Sequence, residues 1–269
     1  MQVRYPDFDL SNSVPQWGDN REACTVINAG GIIPPPIERY LIKLMRQVRE
    51  LLDPERDAVL LGDIDVFCRQ EAQHYKLHDD YLEMLVRGGY PRIREFETAF
   101  EADLTEFLET RDLAWNLGYG EGFESSGPAM AEAWLDGHVA ELCGDRGSVP
   151  MQLWQWHLAE EFEHRNVVHD VLHRLYGDER SFELRQTVGT FARGHYGEHA
   201  ARAAAYLYEV DRASMSEAEI ATSLQREEET WLAYGMLFGD RLNWILEPDY
   251  NPATVQAPRG YAPVLAAYG

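Results

Sequence analysis

Two short stretches of this sequence place imidazole beside carboxylate at helical spacing. In Gln70-Glu71-Ala72-Gln73-His74 the Glu and the His stand three positions apart, about one helical turn, and His78 extends the same face by another turn. In Trp156-His157-Leu158-Ala159-Glu160-Glu161-Phe162-Glu163-His164, residues His157, Glu161 and His164 fall at i, i+4 and i+7 and share one face. A single Glu-x-x-His is ordinarily a solvated ion-pair face. Two such helices, each with an extra histidine, are half of a carboxylate-bridged dinuclear centre, in which each supplies one imidazole to a metal and one carboxylate able to bridge both ions. The other half is one Glu from each of two further helices. Glu38 and Glu121 complete the order Glu, Glu-x-x-His, Glu, Glu-x-x-His, and Glu124, one turn beyond Glu121, is a rival for its place. Oxygen and nitrogen donors with no cysteine nearby suit iron, or manganese, rather than softer ions. His157 adds a third imidazole and makes the two metal environments unequal.

Positioning such donors takes helices, and the pattern predicts an all-α, ferritin-like bundle. Residues 1–33 mix Pro, Asn, Gly and aromatics without a period and read as an irregular arm; residues 34–246 form the helical di-metal domain; residues 247–269 form an irregular tail. After Pro34-Pro35-Pro36, apolar residues recur at three- and four-residue steps from Ile37 to Leu52, and Asp53-Pro54 stops the helix. A second helix runs from Arg56 to Val86 and ends at Gly88-Gly89. Ile93 to Leu142 is helix-rich, but Gly118, Gly120, Gly122 and Gly127 predict a kink or a close helix contact near Gly120. Helices follow over Met151–Tyr176, Ser181–Val210 and Ser216–Leu246, the last opened by Ser216-Glu217-Ala218-Glu219 as a cap.

With 24 Lys plus Arg against 46 Asp plus Glu, the net charge of -22 repels nucleic-acid phosphates and anionic membranes, so neither is an expected partner. Three scattered cysteines suit a reducing compartment and make no disulfide framework, which predicts a cytoplasmic protein. The first residues lack a basic-then-apolar signal pattern, and no apolar stretch is long enough to span a bilayer.

The set Glu38, Glu71, His74, Glu121, His157, Glu161 and His164 resembles the seven-ligand site of the di-iron N-oxygenases that oxidise arylamines. Gln70 to His78 and Trp156 to Arg165 also resemble a bacterial family of predicted metal-dependent hydrolases, in which QEAxH with a later His and WHxxEExEH recur. Where the third motif of that pattern usually reads Ala-Leu-Glu-His, this chain has Tyr119-Gly120-Glu121-Gly122. The first resemblance implies two iron ions, O2 as co-substrate, an electron donor or reductase, and oxygenation of a small organic substrate, most specifically at an amine nitrogen. Desaturation or C-H hydroxylation would use the same centre, and a homodimer is compatible with it. The second implies hydrolysis by a metal-bound water of lowered pKa. A helical binding or iron-carrying protein is the non-catalytic reading.

Around that core set, His78 is expected to orient a ligand or face solvent, and Glu160 and Glu163 point off the ligand face. Asp170, His169 with His173, and His195 with His199 read as structural or surface groups. Phe67, Phe123, Trp154 and Phe162 are candidates to line a pocket, and Tyr75 and Tyr119 adjoin the ligands.

Overall fold

The computed structural model describes residues 1–269 as a bundle of helices with no strand. Helix α1 (Arg21–Gly30) lies within the stretch expected to be irregular; Asn20 caps it by accepting from the Ala23 amide, and its Ala23, Cys24, Val26 and Ile27 are buried. A short helix carries too few turns for its period to stand out among Pro, Gly and Asn. Helix α2 (Pro34–Arg49) takes the three prolines into its first turn, where no backbone N–H is needed, so the prolines begin the helix instead of delaying it. Helix α3 (Ala58–Arg87) is 30 residues long and packs along α2.

The helix-rich stretch that follows is four helices: α4 (Ile93–Thr110), α5 (Leu113–Glu124), α6 (Ser126–Leu135) and α7 (His138–Cys143). Asp112 caps α5 through its Oδ1, 2.8 Å from the Trp115 amide. Helix α5 runs unbroken through its glycines, which serve close packing. A Cβ at Gly122 would sit 2.5 Å from the Gly189 Cα. Helix α8 (Val149–His164) starts on a Ser148 cap with Pro150 in its first turn. Helix α9 (Val167–Leu184) is interrupted at Gly177, where φ is 73°, and continues through a π-helical turn, Arg185–Gly189, into α10 (Thr190–Arg212). A capping box between Ser216 and Glu219 opens α11 (Glu217–Met236), as the sequence predicts. After α12 (Gly239–Trp244) the tail is not wholly irregular, since α13 (Tyr261–Ala267) packs on α8 and sets Tyr261 against Phe162, ring centroids 5.0 Å apart.

No helix is long and apolar enough to cross a membrane. One continuous apolar core, from Phe8 and Leu10 in the arm to Phe238, surrounds the helices that carry the two histidine motifs.

Candidate metal centre

Helices α2, α3, α5 and α8 each turn charged side chains inward, against the usual preference of such groups for solvent. Glu38, Glu71, His74, Glu124, His157, Glu161 and His164 are all buried, none more than 2% exposed. They form two adjoining groups. In the first, donor atoms of Glu38, His74, His157 and Glu161 lie within 4.8 Å of one another; in the second, those of Glu71, Glu161 and His164 do.

Glu161 belongs to both groups. Its Oε1 is 3.0 Å from His157 Nε2 and 3.5 Å from His74 Nδ1, while its Oε2 is 3.5 Å from His164 Nε2. Glu71 Oε1 also spans the pair, 3.2 Å from His164 Nε2 and 3.8 Å from His74 Nδ1. The outer carboxylates are Glu38, 3.4 Å from His157 Nε2, and Glu124, 3.7 Å from His164 Nε2. Glu121 sits elsewhere: its Oε1 accepts a hydrogen bond from His169 Nδ1 at 3.0 Å. One turn of α5 separates these two glutamates, and the turn that faces α8 presents Glu124. The structure therefore brings together Glu38, Glu71, His74, His157, Glu161 and His164, and supplies Glu124 in the place expected of Glu121.

The pocket lacks the partners its donors need. Both oxygens of Glu38, Glu71 and Glu124, together with His74 Nδ1 and His164 Nε2, are buried with no hydrogen-bond partner. Such groups are costly to bury. Burial, then the neighbouring Glu161, pushes the Glu38, Glu71 and Glu124 carboxyls well above the ordinary range. Glu161 goes the other way: burial would raise it, but the charge of His164, the hydrogen bond from His157 at 3.0 Å and the nearby His74 ring hold it well below. Burial, and then His74, lowers His157 to about 4. Unpartnered oxygens and ring nitrogens converging in two groups around a shared carboxylate fit a pair of divalent cations, whose charge would offset the four glutamates.

Each inward imidazole is also held from behind. His74 donates from Nε2 to Glu160 Oε2 at 3.1 Å, and Arg4 of the arm donates to the other oxygen of Glu160 at 3.0 Å. His164 donates from Nδ1 to Gln70 Oε1 at 3.1 Å, and Gln70 in turn donates to Glu163 Oε2 at 2.7 Å. His157 Nδ1 lies 2.7 Å from His78 Nε2. These contacts select which nitrogen faces the pocket, Nδ1 for His74 and Nε2 for the other two. His78, Glu160 and Glu163 thus touch the donor histidines or their partners. Gln70 was recoverable from the sequence, four residues before His74 on its face. Arg4 carried no periodic signal.

Next to Glu161 and His157 lies a cavity of about 270 Å³, with 14 of its 21 lining residues hydrophobic, among them Phe123, Met130, Trp134, Trp154, Tyr234 and Phe238. No Lys or Arg lines it. Besides the two donors, Tyr234 and the tryptophan N–H groups, of which those of Trp134 and Trp154 are unpartnered, its polar features include the Ser126 and Tyr196 hydroxyls, 2.8 Å apart. The Trp154 ring stacks on His157 at 12° and 5.7 Å. Gly127 keeps α6 close, since a Cβ there would meet Glu161 Oε2 at 3.1 Å. Of the aromatic residues expected in the lining, Phe123 and Trp154 are there; Phe67 packs edge-on against His164 and Phe162 lies under Tyr261. Tyr75 stacks under Arg39, Tyr119 bonds His195 outside the pocket, and Asp170 is exposed.

Over residues 2–256 the chain matches a family described as predicted metal-dependent hydrolase. No curated protein and no solved structure matches it.

Proposed function

The chain belongs to the predicted metal-dependent hydrolase family, and on the premise of metal-dependent chemistry we propose that it is a di-iron oxygenase acting on a small, largely apolar substrate. The observation that carries this reading is the apolar cavity abutting the group Glu38, His74, His157 and Glu161. Glu38, Glu71, His74, Glu124, His157, Glu161 and His164 would hold the ions, with Glu71 and Glu161 reaching histidines of both donor groups. Bound there, two iron ions would supply the electrons that activate O2.

The protein's own groups do the rest. The Trp, Phe and Met walls keep water from the reacting centre and bind an apolar body by its surface. An engineered cavity of about 150 Å³ takes a benzene, so a space of about 270 Å³ suits roughly two rings. The Ser126–Tyr196 hydroxyl pair offers one hydrogen-bonding point for a polar substituent, such as an amine. Without Lys or Arg in the lining, an anionic substrate would be left unpaired. Amine N-oxygenation is the most specific version of this reading, and an external reductase would supply electrons.

The family description favours a second reading, hydrolysis by a metal-activated water. Mixing the reduced, iron-loaded protein with O2 and an apolar arylamine decides between them. Oxygenase chemistry predicts a transient visible absorption and O2 uptake that rises with the amine. Neither signal, together with turnover of an aryl ester that depends on added metal, would establish the hydrolase instead.

A further inference from the structure

A second donor cluster lies on the side of α10 that faces α4. His195 and His199 are one turn apart on α10, and their Nε2 atoms converge on a single oxygen of Asp103 in α4, Oδ2, at 3.1 and 2.9 Å. The three donor atoms lie within 4.8 Å of one another. We propose that Asp103, His195 and His199 form a separate mononuclear site that takes one divalent ion of the zinc class. It uses no residue of the buried pocket and does not depend on the oxygenase reading.

The cluster is pre-organised. His195 Nδ1 lies 2.8 Å from the Tyr119 hydroxyl, which fixes the ring and leaves Nε2 facing Asp103. Phe100 lies 5.0 Å from the His199 ring, and Phe191 stacks on the His195 ring at 15°. Asp103 forms no ion pair with an arginine or lysine, so its negative charge is met by the two imidazoles alone. Two nitrogens and one carboxylate oxygen suit zinc better than magnesium or calcium. The Asp103 side chain is 42% exposed while the histidines are 13% and 6% exposed, so the three donors form the floor of a site whose remaining position opens to water. An ion there would tie α4 to α10, whose neighbouring residues Tyr196 and Ala200 line the cavity.

The test strips the full-length protein with chelator, titrates it with Co2+ and then Zn2+, and counts bound equivalents by elemental analysis alongside the Co2+ visible spectrum. Asp103→Asn, nearly isosteric at a half-exposed position, is expected to bind one equivalent fewer than wild type with an unchanged circular dichroism spectrum. His199→Gln is expected to match it. Tyr119→Phe should keep the equivalent but weaken it about tenfold, the scale of losing an orienting partner. Equal stoichiometry and affinity in wild type, Asp103→Asn and His199→Gln would overturn the proposal. Because the comparison reads a difference at Asp103, it stands whether or not the buried pocket loads.

Discussion

The two donor clusters solve the same problem in opposite ways. Between α4 and α10, Asp103, His195 and His199 satisfy one another: each imidazole can donate to the shared carboxylate, and solvent reaches the rest. Among the donors on α2, α3, α5 and α8, by contrast, six carboxylate oxygens and two ring nitrogens have no partner and no access to water. The first cluster is balanced without a cation, whereas the second leaves donors that a cation would satisfy. Burial without partners is therefore the stronger mark of a resident metal centre than convergence of donors alone.

The comparison breaks most directly at Glu161, the one carboxylate placed in both buried groups. Glu161→Ala is expected to reduce iron from about two ions per chain to less than about half an ion. Unchanged iron content would mean that the pocket holds its charge in some other way. Next in size is the contrast within α5. Glu124→Ala should lose about half the iron or more, because its carboxylate is 3.7 Å from His164 Nε2. Glu121→Ala should keep its iron and instead destabilise the fold by about 1–3 kcal/mol, the cost of leaving the buried His169 unpaired. Elemental analysis and thermal melts of both variants separate the two roles, and iron loss from Glu121→Ala alone would reverse the assignment.

That contrast also marks what could be read from the residues. The motifs on α3 and α8 set their Glu and His along one stripe of a helix, where three- and four-residue spacing dictates which side chains meet, so the grouping of Glu71 with His74 and of His157, Glu161 and His164 was legible. Helix α5 has no such stripe, because its small residues allow neighbours to approach on several sides. Which of two glutamates one turn apart faces α8 depends on that packing, and no local spacing encodes it. The order of helices was legible from Pro, Gly and capping residues, but α1 and α13 were too short to show a period. The hold on His74 was invisible for another reason: Arg4 and Glu160 are 156 residues apart.

A smaller effect concerns pH. In the metal-free protein Glu38, Glu71 and Glu124 titrate above the ordinary carboxyl range, so the folded state keeps protons that the unfolded chain has already released. Stability then falls as pH rises from about 4.3, the ordinary Glu value, through the raised folded values. Glu161 opposes this below the ordinary value, since its depressed pKa gives stability that is lost only as pH falls through the folded value. Cations bound at these carboxyls would displace their protons and are expected to remove the slope. The melting-temperature gap between loaded and stripped protein is expected to widen from about pH 5 to about pH 7. A flat gap would show that these carboxyls are ionised without metal.

The least of the expected effects sits farthest from the donors and tests whether the buried cluster relies on the arm. Arg4 is 7% exposed and reaches both Glu160 and Glu163 at 3.0 Å; Glu160 holds His74, and Glu163 holds Gln70, which holds His164. Removing the guanidinium leaves every donor in place but frees the two carboxylates that fix ring orientation, so it should act on how fast metal leaves, not on how much binds. Arg4→Gln is expected to keep full iron content and to raise the rate of iron loss to a chelator up to about tenfold, the low end for groups that orient ligands. His78→Ala, one contact from His157, should raise it about ten- to hundredfold. The ranking matters more than either value, because His78 touches a donor directly whereas Arg4 acts through two carboxylates. Should Arg4→Gln release iron faster than His78→Ala, the arm would be a principal clamp on the centre and the helices alone would not suffice to pre-organise it.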